Sequence, residues 1–370
     1  MRKAIARLST DPVDRFHQRD GLVGVSFWHK HGVWLFAFFA RWFLLSGAWC
    51  ILNFSSDALT LLPNGMFANW LTQHATGPLY APWALWFMDY YWLAFTLAGP
   101  LYFYEQRGRF TLGNDKYQAL VAFMLAPLIR YGLGIKVAWS PLVGLGLLSV
   151  LLKLFFLPYV ITWGIQNGLQ AWASLAAVPI DYRAWTRLLI QLCLFVDVFV
   201  FGLGYLIESR RLGSEIQSVD PNPFGWLVCL WCYPPFNSFS FLPFDVALFP
   251  IKIETSEAIR LIFNGLEVVL WGIFAWSSLA LGFKASNLTA RGIVRRGPYR
   301  WLRHPAYSAK LAVWWIQGVI FGEFSVGILL AFTLMYVLRA LTEERHLGSV
   351  DEDYAAYCLG VRWRFLPGLI

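Results

Sequence analysis

Two groups of polar side chains stand on either side of an apolar stretch near the end of the sequence. The first lies in Gly297-Pro-Tyr-Arg-Trp-Leu-Arg-His-Pro-Ala-Tyr307, and the second, Glu343-Glu344-Arg-His-Leu347, follows 36 residues later. A hairpin of two apolar arms between them would return both groups to the same membrane face. Arg and His side chains can bind an anion, whereas carboxylates can bind an ammonium or accept hydrogen bonds from hydroxyls. The spacing therefore predicts a polar pocket at a lipid surface.

The first group is predicted to form a loop that leads into a helix. Pro298 and Pro305 interrupt a preceding helix, and proline suits the first turn of the helix that follows. The free amides of that first turn would favour an anion, and His304 could donate, accept or titrate. Because Glu343 and Glu344 lie opposite, a zwitterionic cofactor with an adenosine could contact both sides. Further cationic donors would come from three arginines, Arg296, Arg300 and Arg303.

The same residues also have a simpler explanation. A basic loop before a span satisfies the positive-inside rule, and Glu343 could merely pair with Arg339 at i, i+4. The pocket is favoured because its elements occur together in a fixed order. That order is RHPxY, the glutamate pair, Tyr354 with Tyr357, and an Arg-Phe-Leu-Pro-Gly tail.

These segments, with Tyr354-Ala-Ala-Tyr357 and Arg364-Phe-Leu-Pro-Gly368, resemble the isoprenylcysteine carboxyl methyltransferase family, which is itself similar to the phospholipid N-methyltransferases. Members are multi-pass membrane enzymes that use S-adenosylmethionine. The resemblance covers about the last 80 residues. It implies S-adenosylmethionine as cofactor and catalytic roles for His304, Glu343 and Arg364. It implies that the cofactor is bound by Arg303, His304, Pro305, Tyr307, Glu343, Glu344 and Leu347.

One departure from the family pattern and one further resemblance keep other functions open. Ala309 stands where the family has a glycine, which predicts a more crowded approach to the cofactor. The tail Val361-Arg-Trp-Arg-Phe-Leu-Pro367 also resembles that of sterol reductases, which bind NADPH. The alternatives to a methyltransferase are therefore an NADPH-dependent reductase and a non-catalytic membrane protein with a degenerate pocket.

The composition indicates an integral membrane protein. The chain is 58% hydrophobic and 18% aromatic with only 14% charged residues, against about 25% charged in soluble domains. The net charge of +8 then reflects loops at an anionic membrane surface and not nucleic acid. The five cysteines are too few and too scattered for a disulfide framework, and no metal site is predicted.

Apolar runs predict an all-α, polytopic transmembrane bundle of about eight spans with a cytoplasm-facing cofactor pocket near the C-terminus. An additional run, residues 224–244, contains Pro234-Pro235 and is predicted to be re-entrant or interfacial. Residues 167–181 and 214–223 are predicted loops. The candidate spans are residues 33–54, 81–104, 117–133, 142–165, 185–207, 259–283, 307–321 and 324–341.

The distribution of Lys and Arg places both termini in the cytoplasm. Residues 55–80 contain no Lys or Arg, whereas residues 284–303 contain six. Arg210-Arg211 disagrees with this topology, because it falls on the outer side. Three regions are predicted: a basic lead-in at 1–32, a transmembrane region at 33–258 that shapes the acceptor site, and a methyltransferase-like region at 259–370.

The acceptor is predicted to be lipid-like, prenylated or lipid-modified, and to arrive from the bilayer. A carboxylate acceptor would need no base, whereas an amine, phenol or thiol would use His304, Tyr307 or Glu343. Five ionisable residues lie in apolar runs, and interhelical pairing or snorkelling to the interface is the favoured role for each. Arg41 and Asp89, which lie mid-run, are the first candidates among them to line a functional cavity. The five are Arg41, Asp89, Lys153, Asp197 and Glu267. Aromatic residues that could frame an acceptor portal are Tyr299, Trp301, Trp314 and Trp315.

Overall fold

The computed structural model describes residues 32–50, 82–110, 114–134, 136–176, 181–209, 211–233, 236–237 and 255–368. These residues are 76% helical with almost no sheet, which confirms the predicted all-α class. The only strands among them are β1 (Ser218–Val219) and β2 (Thr289–Ala290), which pair antiparallel. The helices are α1 (Gly32–Cys50), α2 (Pro82–Glu105), α3 (Lys116–Met124), α4 (Ala126–Leu133), α5 (Pro141–Ala176), α6 (Tyr182–Leu206), α7 (Pro223–Trp231), α8 (Glu257–Leu281), α9 (Pro305–Val319), α10 (Val326–Val350) and α11 (Asp353–Gly360).

Five of the described helices are long and apolar enough to cross a membrane: α1, α5, α6, α8 with its extension to Lys284, and α10. In each, the most apolar window is less than half buried by protein, so the remaining apolar surface is available to lipid. Helix α9 has 15 residues and is therefore about 22 Å long, short of the roughly 30 Å hydrocarbon core. The short first arm of the hairpin is thus as predicted, and the total of eight spans stays a prediction.

Two predicted elements differ from the structure. The predicted span 117–133 is two short helices, because α3 ends at Met124 and α4 begins at Ala126 after Leu125. Residues 167–176 are not a loop, because α5 continues to Ala176. Within the predicted re-entrant run, α7 is a nine-residue helix, while Pro234, Pro235 and residues 238–244 lie outside the described residues. The basic lead-in before Gly32, the loop 55–80 and Arg210 also lie outside them.

The chain divides into two compact units. The first comprises the described parts of Met1–Gly47 and Tyr90–Gly146. It contains an ion pair of 2.6 Å between Arg41 Nη2 and Asp115 Oδ2. The Asp115 carboxylate also caps α3 by accepting hydrogen bonds from the backbone amides of Tyr117 and Gln118. The Arg41 guanidinium lies 4.8 Å from the Tyr117 ring centroid.

The second unit, Ala48–Asp89 with Leu147–Ile370, contains the candidate site. Helix α8 packs against both α6 and α9. At the end of α6, a Cβ on Gly204 would lie 2.0 Å from the carbonyl oxygen of Ala285, so this close approach requires glycine. The methyl group of Ala309 is buried with Trp271 and Phe274 between α8 and α9.

The ionisable residues in apolar runs mostly have structural partners. Arg41 pairs with Asp115, and Lys153 Nζ lies 2.8 Å from Glu208 Oε2. Asp89 accepts a 2.5 Å hydrogen bond from Trp49 Nε1. Of the five, Asp197 lines the cavity described below, whereas Arg41 and Asp89 do not line this cavity.

Candidate active site

The helical hairpin α9–α10 brings the two polar groups of the sequence together. Residues 320–325 join the helices, with Gly322 at φ +73° and Glu323 exposed at the tip. At the opposite end of the hairpin, His304 Nε2 lies 3.1 Å from Glu344 Oε1. The predicted return of both groups to one end of the hairpin is therefore observed.

The loop before α9 is held by the C-terminal tail. The backbone amide of Arg303 donates to the Trp363 carbonyl, and that of His304 donates to the Arg364 carbonyl, both at 2.9 Å. Gly297 begins a 3-10 turn (Gly297–Arg300) with φ +60°, a conformation that favours glycine. The tail thus fixes the backbone of the Arg-His pair just before Pro305 starts α9.

Three cationic or donor side chains surround the Glu344 carboxylate. Arg303 Nη1 and Arg364 Nε each lie 3.0 Å from Glu344 Oε2, and His304 Nε2 lies at Oε1. The Glu344 side chain is only 9% exposed. Charge-assisted hydrogen bonds of this kind are strong in a partly buried setting. Glu344 therefore orders the polar loop, the tail and α10 around one carboxylate.

Glu343 belongs to a different network. Tyr307 Oη donates a 2.5 Å hydrogen bond to Glu343 Oε1 and accepts one of 2.7 Å from Arg339 Nε. Arg339 also pairs with Glu343 at 3.1 Å, so the simple i, i+4 pair and the pocket contact coexist. Nη2 of Arg339 donates to Asn287 Oδ1, and Tyr233 Oη donates to the same oxygen at 3.2 Å.

A cavity of about 240 Å³ opens beside these networks, within the second unit. Of the predicted cofactor residues, Arg303, His304, Tyr307, Glu343 and Leu347 line it. Three of the residues predicted from the family resemblance are not part of its wall. Pro305 is fully buried at the start of α9, while Glu344 and Arg364 hold the lining residues from behind.

Part of the cavity wall is apolar and is formed by residues far from the sequence motif. Helix α5 contributes Val160 and Trp163, and α6 contributes Val198 and Phe201. These positions lie outside the segment that resembles a known family. Other wall residues that the sequence did not indicate are Asp220, Asn287, Lys310, Arg339 and His346. Only the i, i+4 spacing to Glu343 pointed to Arg339.

Comparison with known proteins bears on the part of the chain that contains the hairpin. Residues 259–351 match the family model of the phospholipid methyltransferases. This segment belongs to a family of membrane methyltransferases. It covers α8, α9 and α10, about a quarter of the chain. No curated protein matches the chain.

Around the methyltransferase segment, three phenols have raised pKa values. Burial raises the pKa of Tyr299, and the Glu343 charge adds to this effect. Burial also raises the pKa of Tyr354 and Tyr357 in α11, with a further contribution from Glu344 at Tyr354. These phenols are therefore neutral at physiological pH. Burial disfavours the Arg303 charge, but Glu344 outweighs it and raises the pKa of that guanidinium.

The cavity wall of the methyltransferase segment fits a polar nucleoside ligand. Two buried nitrogens in this wall, Arg303 Nε and His346 Nε2, have no hydrogen-bond partner among the described residues. A buried donor or acceptor without a partner is costly, so each favours a ligand that supplies one. The nearby apolar side chains of Ile293 and Leu347 suit a planar ring.

Proposed function

We propose that the protein is an S-adenosylmethionine-dependent methyltransferase that acts on a lipid-like acceptor. The observation that carries the proposal is a single cavity with both polar and apolar walls. Arg303, His304 and Glu343 contribute to the polar wall, and apolar side chains of α5 and α6 contribute to the apolar wall. A polar methyl donor and an apolar acceptor could therefore meet in one cavity. The methyltransferase family of residues 259–351 supports the reaction type.

At the polar wall, the charges match those of a zwitterionic cofactor. Arg303 and His304 would hold the carboxylate of S-adenosylmethionine, and Glu343 would hold its ammonium. Leu347 and Ile293 would contact the adenine. Bound in this way, the cofactor supplies an electrophilic methyl group. Glu344 and Arg364 would act as positioning residues, because Glu344 contacts Arg303 and His304, Arg364 contacts Glu344, and neither lines the cavity.

The protein residues would contribute chiefly by orientation and by exclusion of water. Tyr307 is fixed between Glu343 and Arg339, so the carboxylate at the cavity wall has one defined position. The aromatic and aliphatic side chains that α5 and α6 contribute to the cavity wall would admit an apolar molecule from the bilayer. Membrane lipids and lipid-like, prenylated or lipid-modified acceptors are all apolar molecules of this kind.

Ligand titration of the detergent-purified protein tests the proposal. We expect S-adenosylmethionine and S-adenosylhomocysteine to bind, and His304→Ala to weaken both. Glu323→Gln is the matched control, because Glu323 lies at the distant tip of the hairpin. Binding of NADPH alone would favour a reductase, and binding of none of the three ligands a degenerate pocket. Transfer of a radiolabelled methyl group into an organic extract of membranes would then establish turnover.

The orientation in the membrane is part of this proposal. The cofactor is made in the cytoplasm, so the cavity wall formed by Arg303, His304 and Glu343 would face that side. Both termini would face the same side. Cysteine substituted for Arg7 and for Arg296 should be labelled from the same side of the membrane. Opposite accessibility of the two positions would refute this topology.

A further inference from the structure

Three polar side chains of the cavity wall come from helices that also supply its apolar residues. Asp197 comes from α6, Ser278 from α8 and Lys310 from α9, and all three line the cavity wall. None belongs to the motifs that indicated a cofactor site. Their neighbours in the wall include Val198, Phe201 and Phe274. Charged groups in such a setting are costly and commonly serve a function.

The carboxylate of Asp197 is held in place by one neighbour. Ser278 Oγ donates a hydrogen bond to Asp197 Oδ1, and Ser278 itself is 1% exposed. This bond ties α6 to α8 at the cavity wall. A serine hydroxyl does not neutralise a carboxylate, so the negative charge still requires compensation.

The ammonium of Lys310 is surrounded by aromatic rings and not by acceptors. Its Nζ lies 5.2 Å from the ring centroid of Trp314, 5.4 Å from that of Tyr336 and 5.6 Å from that of Phe274. Within the described part of the chain, Nζ makes no hydrogen bond and no ion pair. It does interact electrostatically with Asp197. The two opposite charges therefore face one cavity without touching each other.

We propose that Asp197 and Lys310 together bind the hydroxyl or phenol group of an apolar acceptor, which would be the methylated atom. The inference rests on the proposed methyltransferase function. A hydroxyl can donate to Asp197 and accept from Lys310 at the same time. A carboxylate headgroup would be repelled by Asp197, and an ammonium headgroup by Lys310. The pair therefore selects a neutral group that both donates and accepts a hydrogen bond.

The chemistry balances with these two residues. The acceptor oxygen forms a bond to the methyl carbon as the bond between that carbon and the donor sulfonium breaks. The proton of the hydroxyl passes to Asp197, and the donor leaves as a neutral thioether. Lys310 stabilises the negative charge that develops on the acceptor oxygen. The products are a methyl ether, S-adenosylhomocysteine and a proton.

Binding of three ligands with one hydrocarbon chain and different headgroups tests this inference without turnover. Farnesol, farnesylamine and farnesoic acid are titrated into detergent-purified protein with no cofactor present, and tryptophan fluorescence is recorded. We expect farnesol to bind at least about tenfold more tightly than the amine or the acid. Asp197→Asn and Lys310→Met should each reduce farnesol affinity about tenfold, whereas S-adenosylhomocysteine affinity should not change.

Controls separate this inference from misfolding and from failure of the proposed function. The comparison of headgroups uses unmodified protein, so it stands even if a variant does not fold. The inference is overturned if the amine or the acid binds as tightly as farnesol. It is also overturned if folded Asp197→Asn and Lys310→Met both retain full farnesol affinity. Selective farnesol binding without S-adenosylhomocysteine binding would refute methyl transfer while supporting the hydroxyl site.

Discussion

The Tyr307 hydroxyl joins α9 to α10 through its 2.5 Å hydrogen bond to Glu343 Oε1. The same hydroxyl accepts from Arg339 Nε, so one phenol connects a carboxylate and a guanidinium at the cavity wall. Arg339 is 4% exposed and depends on this network for its polar contacts. The position of Glu343 at the proposed cofactor site is therefore set by residues on both helices.

Replacement of Tyr307 by Phe should weaken S-adenosylhomocysteine binding several-fold and lower stability by about 1 kcal/mol, the usual net value of one hydrogen bond. The loss is limited because Arg339 and Glu343 remain paired at 3.1 Å. Calorimetric titration and thermal unfolding in detergent measure the two effects. Unchanged affinity in a destabilised variant would mean that Tyr307 has only a structural role.

Loss of the Glu344 carboxylate should have a larger effect. In Glu344→Ala, three donors lose their common acceptor, and each charge-assisted hydrogen bond contributes roughly 1.5–3 kcal/mol. We expect S-adenosylhomocysteine affinity to fall at least about tenfold, and His304→Ala to have a similar effect. Glu344→Gln should lie between Glu344→Ala and the unmodified protein, because its amide oxygen still accepts a hydrogen bond.

Glu323→Gln serves as the control for these variants. Glu323 is exposed at the hairpin tip, at the opposite end of the hairpin from His304 and Glu344. The Glu323→Gln variant should bind S-adenosylhomocysteine as tightly as the unmodified protein does. If Glu344→Ala, His304→Ala and Glu323→Gln all lowered this affinity equally, the effect would be general destabilisation and not loss of a binding site.

Local patterns in the sequence predicted much of this architecture. The apolar runs indicated the long helices, and Pro305 marked the start of α9 because proline favours that position. The break at Leu125 was also detectable, since Pro127 lies in the first turn of α4. The polar residues of the motif were brought together because a short hairpin leaves few arrangements.

The remainder of the cavity depends on contacts between distant parts of the chain. Asn287 meets Arg339 and Tyr205 although these residues lie 52 and 82 positions away. No local periodicity indicates such a pairing in a single sequence. The apolar wall of α5 and α6 was likewise undetectable, because lipid-facing and cavity-facing side chains in a membrane helix are equally apolar. Asp197 was visible as an intramembrane charge, but its partner Ser278 was not.

His346 provides a test of the cavity wall that the motif did not predict. Its Nε2 is buried and has no hydrogen-bond partner among the described residues, and the ring lies beside Asp220. We expect His346→Ala to weaken S-adenosylhomocysteine binding about tenfold, since a bound ligand would satisfy this nitrogen. His346→Gln should recover part of the affinity, because its amide can donate or accept. Equal loss in both variants would argue against a direct hydrogen bond.

The ion pair of the first unit should affect stability but not cofactor binding. Arg41→Met would leave a partly buried Asp115 without its counterion, at a cost of about 2 kcal/mol. The pair Arg183–Glu257 is a matched control, because its side chains are 62% and 74% exposed. Arg183→Met should cost less than about 1 kcal/mol. Thermal unfolding ranks the two variants, and equal costs would contradict the importance of burial.

Trp314 and Trp315 should stabilise the hairpin, and Trp315 should not affect the acceptor. The Trp314 ring centroid lies 4.4 Å from that of Phe332, and Trp315 Nε1 donates a 3.0 Å hydrogen bond to Thr333. Both side chains thus contact α10, and neither lines the cavity, in contrast to Tyr299. We expect either change to Ala to lower thermal stability, with a cost of roughly 3–5 kcal/mol at the better-packed Trp314.

In the folded fraction of Trp315→Ala, S-adenosylhomocysteine affinity and the KM for a lipid acceptor should stay within about twofold of the unmodified protein. The reason is that removal of a side chain behind the wall leaves the wall atoms in place. Trp314→Ala also removes a ring that Lys310 Nζ contacts, so its acceptor KM should rise. Trp163→Ala, which enlarges the cavity at its apolar wall, should likewise raise that KM while cofactor affinity is retained. An acceptor effect at Trp315 larger than at Trp163 would show that the acceptor enters through the hairpin face.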